Sequence, residues 1–134
     1  MGLAVPTTEL GGMSFPIVGQ ADHAAGASVG HVLNPENVAI IIKKCVVYVA
    51  TNSTAGANLT IGQATTVAGA HDGATIFTAA AMAAAAGKAI VGGATGDPAD
   101  ELVVVAAGSF IVACTSADSS GLTGRAYIDY VRVG

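Results

Sequence analysis

Residues 38–49 read VAIIIKKCVVYV, a run dense in β-branched side chains, bounded by Asn34-Pro35 before it and Asn52-Ser53 after it. Such a run is a long strand, because Val and Ile pack well on a pleated surface and Asn, Pro and Ser break it at the ends. Strict alternation puts Ile40, Ile42, Lys44, Val46 and Tyr48 on one face and Ile41, Lys43, Cys45, Val47 and Val49 on the other. Both faces are then mostly apolar, which predicts a central strand.

Shorter β-like pieces follow at 57–63 (ANLTIGQ), 74–77, 101–107 (ELVVVAA), 109–115 (SFIVACT) and 124–133 (GRAYIDYVRV), with Gly108 marking a bend between two of them. In the last piece Tyr127, Asp129, Val131 and Val133 face one way and Ala126, Ile128, Tyr130 and Arg132 the other. Residues 78–88 (TAAAMAAAAGK) have helical propensity, with Gly87 as the residue after the helix end. GGATGDPAD at 92–100 reads as a loop. The fold class expected is all-β: an antiparallel β-sandwich of jelly-roll type with at most one short helix. Residues 1–33, with Pro6, Pro16 and the Gly11-Gly12 pair, lack sustained periodicity and read as an extended N-terminal arm preceding a domain at 34–134. Its apolar residues Val5, Leu10, Phe15 and Ile17 are the expected docking contacts.

The chain has 134 residues, enough for one domain, with 28 Ala and 18 Gly against three Phe, three Tyr and no Trp. Hydrophobic residues make up 52% and charged ones 10%, well below the roughly 25% charged of a typical soluble domain. An exterior so poor in charge is easiest to understand if other chains cover part of it. A formal net charge of −4 with five Lys plus Arg offers no cluster of cations for a phosphate backbone, so nucleic acid is not an expected partner. No apolar run approaches the roughly 20 residues of a membrane-spanning helix. The opening MGLAVPTTELGG has neither the basic nor the long apolar region of a secretory signal, and Pro6 stands where a myristoylation site wants Ser or Thr.

Catalytic groups are scarce. Cys45 and Cys114 lie in apolar runs and read as buried free thiols, with a disulfide between them as the alternative. His23, His31 and His71 are too scattered for a local metal set, and no zinc-type spacing is present. GDPADE and AHDG read as polar turns, GGATG falls short of a phosphate loop, and there is no GxSxG elbow. No catalytic, metal or cofactor site is expected. Tyr127 and Tyr130 read as half-buried sheet residues, with a sugar-stacking platform as the competing possibility.

The segment NPENVAIIIKKCVVYVATNSTAGANLTIGQA at 34–64 and the ending SADSSGLTGRAYIDYVRV at 116–133 resemble small virion proteins of tailed bacteriophages described as capsid decoration (cement) or head fibre proteins. The resemblance rests on the lead-in Asn34, Pro35 and Glu36; the Thr51, Ser53 and Thr54 turn; the Leu59, Ile61 and Gly62 strand; the Gly121, Leu122 and Gly124 turn; and Tyr127, Ile128 and Tyr130. It implies a jelly-roll-like sandwich, commonly a homotrimer, that binds the major capsid protein on the outer surface of the virion and stabilises the shell after synthesis in the host cytoplasm. Lys43-Lys44 gives the long strand more charge than that pattern, leaving open whether the face is core or subunit contact. A carbohydrate-binding β-sandwich using Tyr48, Tyr127 or Tyr130 is the alternative function.

Overall fold

The computed structural model describes residues 10–20, 28–67, 75–92 and 102–133. They form nine strands: β1 Leu10–Val18, β2 Ser28–Leu33, β3 Ile40–Thr51, β4 Asn58–Ala64, β5 Thr75–Ala81, β6 Ala89–Gly92, β7 Val104–Val105, β8 Phe110–Thr115 and β9 Thr123–Arg132. Among the described residues there is no helix.

Two antiparallel sheets pack face to face as a β-sandwich. The first, sheet A, runs β1-β9-β3-β6, with β7 also pairing with β3. The second, sheet B, runs β2-β8-β4-β5. The pairs β1–β9, β2–β8, β3–β6 and β4–β5 are nested along the chain and go alternately to the two sheets, while β3–β9 and β4–β8 join them. As expected, β3 is interior to its sheet. Between the sheets lie Phe15, Ile17, Ile40, Ile42, Cys45, Val47, Val49, Leu59, Ile61, Phe77, Ile111, Ala113, Ala126 and Ile128, all buried. With few aromatics, aliphatic side chains and close backbone approach fill this layer.

The structure corrects three expectations. The described part of the arm belongs to the sandwich: β1 pairs with β9 along its whole length, from Leu10↔Val131 to Val18↔Thr123, and β2 pairs with β8. Phe15 and Ile17 are therefore core residues, not docking contacts, and only Leu10 keeps an exposed side chain; Val5 lies outside the described residues. The sandwich thus includes two strands that precede residue 34. Sequence periodicity missed these strands because β1 alternates its buried residues with Gly12, Ser14 and Pro16, which look like a linker when read alone. Pro16 is tolerated because β1 is an edge strand of its sheet.

The helix expected over 78–88 is instead the end of β5 followed by turns. β5 pairs with β4 up to Asn58↔Ala81, and the Lys88 amide closes a turn on Ala85 O at 3.0 Å, with Gly87 at φ 77°. Sheet pairing overrides alanine propensity, as a short isolated helix is marginal in water.

Finally, β3 does not alternate strictly. Its register against β9 shifts between Ile42 and Lys44, so the extra residue of a β-bulge reverses the parity. Ile40 and Ile42 face the core before it, Cys45, Val47 and Val49 after it, and both lysines are exposed. Neither face inferred from alternation is the core face over its full length. The faces expected for β9 do hold: Ala126, Ile128 and Tyr130 are buried, and Tyr127 and Asp129 are exposed.

Candidate functional site

Two neighbourhoods gather the residues singled out in the sequence. The first is a polar clasp at one end of the sandwich. Asn34, buried, donates through Nδ2 to the carbonyls of Val38, Val105 and Ala106 at 3.1–3.2 Å, and its Oδ1 accepts the Glu36 amide at 2.9 Å. That last bond is an Asx turn, with Pro35 at its exposed apex. The turn delivers Glu36 to the end of β9. There Tyr130 donates its hydroxyl to Glu36 Oε2 at 2.6 Å, and Arg132 Nε lies 2.8 Å from Glu36 Oε1. Arg132 Nη1 also donates to Leu10 O at 2.6 Å, so the clasp reaches β1. Hydrogen bonding from Arg132, then from Tyr130, holds the Glu36 carboxyl below the usual carboxylate range. Burial, followed by the bond to Glu36, pushes the Tyr130 hydroxyl up.

The clasp is fully engaged in framework bonds. The same holds for the other signature turn, where the Leu122 amide donates to Ser119 O at 3.0 Å and Gly121 adopts φ 82°, the third-position conformation of a type II turn that favours glycine. Leu122 is buried, and its carbonyl accepts the Gly19 amide at 2.8 Å. Gly124 passes close under β3, where a side chain would press on Tyr48 O.

Reactive groups are also committed. Cys45 and Cys114 are free and buried, the thiol reading rather than the disulfide. Burial pushes the Cys45 thiol up to about 12, far from a reactive thiolate. No group of three or more His, Cys, Asp or Glu suited to a metal ion occurs among the described residues. His71, Asp72, Asp97, Asp100 and Glu101, read above as turn residues, lie outside them.

The second neighbourhood is the outward face of the β1-β9-β3-β6 sheet. Register lines its residues up in rows: Ser14, Tyr127, Val46 and Val91 in one, and Pro16, Arg125, Tyr48 and Ala89 in the next. Beyond Tyr127 come Gly12, Asp129 and Lys44, then Leu10, Val131, Ile41 and Val104. Tyr48, Tyr127 and Val91 are 43%, 49% and 60% exposed, so large apolar side chains stand in solvent on a stiff support. Arg125 bonds Ser14 Oγ at 2.9 Å, and Lys43 shares a shallow groove with Leu10, Gly12 and Asp129. Tyr130 points the other way, into the core, so the platform of Tyr127 and Tyr130 does not form. Sequence reading named Tyr48 and Tyr127 but missed Val91 and Val104, whose partners across the sheet are set by register alone.

In comparisons with family models, curated proteins and solved structures, none matches this chain.

Proposed function

We propose that this protein is a non-enzymatic virion structural protein that assembles with itself as a homotrimer, binds the major capsid protein on the outer surface of a tailed-phage capsid and stabilises the shell. The observation that carries this reading is the outward face of sheet A, where Tyr48, Tyr127 and Val91 are exposed side by side on a chain with only 10% charged residues. Large apolar side chains anchored on a hydrogen-bonded sheet suit a protein contact, since little backbone freedom is lost in ordering them. The nested strand order supports the jelly-roll type that the resemblance implies. The Asn34, Glu36, Gly121, Leu122 and Tyr130 signature supports a shared framework rather than a shared reaction, because each of these residues fastens one element to another. Several copies joined in one assembly would then bind a repeating shell by avidity.

Light scattering of the purified protein should return three times the 13.0 kDa chain mass, and the protein should co-sediment with capsids while raising their resistance to heat. An assembly that leaves capsids unbound would defeat the reading. The exposed pair Tyr48 and Tyr127 also favours a second reading, a carbohydrate-binding module. Glycan-array binding lost on Tyr127→Ala would select it.

A further inference from the structure

Arg125 lies on β9, an interior strand of sheet A, and belongs to its outward face. Register sets Tyr48 directly across from it on β3, and Tyr127 follows two residues along β9 on the same side. With strands about 4.8 Å apart and two residues of strand spanning about 7 Å, the two rings and the guanidinium mark out an area the size of one sugar ring. Both rings are open to solvent. Arg125 is half-buried, and its Nη1 donates to Ser14 Oγ at 2.9 Å. That bond holds the guanidinium in place without neutralising it. Arg132, on the same strand, is by contrast paired with Glu36. Among the described residues no carboxylate lies within ion-pair distance of Arg125. A guanidinium carries five N–H donors in a planar fork, so most of this one is left for a ligand.

We infer that Tyr48, Arg125 and Tyr127 form a binding site for an acidic sugar, a uronic or sialic acid residue whose carboxylate sits on Arg125 and whose ring packs on the tyrosines. The inference rests on the carbohydrate-binding reading given above and names its ligand class; it does not depend on capsid attachment. Each group has a separate task. The planar fork matches a carboxylate bidentately and stays charged at any working pH. Tyrosine offers an apolar ring to the C–H groups of a sugar and a hydroxyl to its hydroxyls. Partial burial of Arg125 beside two rings strengthens the ion pair relative to one made in open water, and the bond to Ser14 reduces the side-chain freedom lost on binding. A neutral sugar gains the stacking without the ion pair, which is the basis of discrimination.

The test is a titration of the full chain, monitored by protein NMR, with sialyllactose against lactose and cellobiouronic acid against cellobiose. At least one acidic sugar should bind at least tenfold more tightly than its neutral counterpart, and raised salt should narrow the gap. Arg125→Gln should cost that acidic sugar at least tenfold and leave its neutral counterpart unchanged, while Tyr127→Ala should weaken both. Leu33→Ala, exposed on β2 of the other sheet, should change neither, and all three variants should keep the wild-type circular dichroism spectrum. If neither acidic sugar outbinds its neutral counterpart, or if acidic binding survives Arg125→Gln, the inference is overturned and carbohydrate binding stands. If none of the four sugars binds, both fall. Capsid binding or self-association that depends on Arg125 while the sugars stay unbound would make the face a protein contact, which refutes the inference and leaves the capsid reading intact.

Discussion

Asn34 has two amide hydrogens and three carbonyls within reach, those of Val38, Val105 and Ala106. The bond to Val105 O is buried, where water does not replace the lost donor, so Asn34→Ala should cost about 1–3 kcal/mol in urea unfolding. Its neighbour Glu36 gives the stability a pH signature. A carboxyl held below its unfolded value of 4.5 contributes stability above that value and loses it as pH falls through the lower folded value. Glu36→Gln should therefore melt lower than the wild type at neutral pH, and the gap should close in thermal melts taken progressively below pH 4.5. Two glycines separate contact from freedom. Gly124→Ala forces a methyl group onto Tyr48 O and should destabilise by about 2 kcal/mol. Gly56 has open space around it, and Gly56→Ala should be neutral or stabilising by up to about 1 kcal/mol. Both cysteines should resist a thiol reagent in the native protein and react fully in denaturant, as their burial requires.

At the scale of elements, the bulge in β3 decides which side chains make the core. Deleting Lys44 removes the extra residue and turns Cys45, Val47 and Val49 toward solvent, so the deletion variant should show no cooperative unfolding transition. Lys43→Thr, which keeps the residue count at an exposed site, should change stability by no more than about 0.5 kcal/mol. The lysine pair is not core: the same strand offers core on one side and carries both lysines, exposed, on the other. β1 is the second case. Truncation through Val18 removes Phe15 and Ile17 from the core and the whole β1–β9 ladder, so the truncated chain should be unfolded by circular dichroism, where a dispensable arm would leave the fold intact. β9 was fully legible because nothing interrupts its alternation. β5 was legible only over 75–77, as alanine's helix propensity beyond it is local and the pairing with β4 is not.

For the whole molecule, the nested pairing joins the two ends of the chain, with Leu10 opposite Val131. Long-range ladders require loop closure before they gain contacts, so refolding after dilution from urea should be slow for a domain of this size, on the order of milliseconds to seconds by stopped-flow. The same pairing explains the layout of signature residues. Glu36, held in its turn by Asn34, meets Tyr130 and Arg132 because β3 and β9 are neighbours, and the Gly121 turn approaches Thr54 for the same reason.

By itself, the sequence determined the class of this fold, the interior position of β3, the faces of β9, the turns at Gly108 and Gly121 and the burial of both thiols. All of these depend on local alternation, hydrophobicity or a backbone conformation favoured by glycine. Only the tertiary structure decided that residues 10–18 and 28–33 are strands, that Thr78–Ala81 is not helical, and that the bulge at Lys43-Lys44 exchanges the faces of β3. It also brought Tyr48, Tyr127 and Val91 into one exposed patch. The physical reason is common to these cases: a strand is stabilised by its partner's hydrogen bonds, and its neighbours are fixed by register with residues far away in the chain.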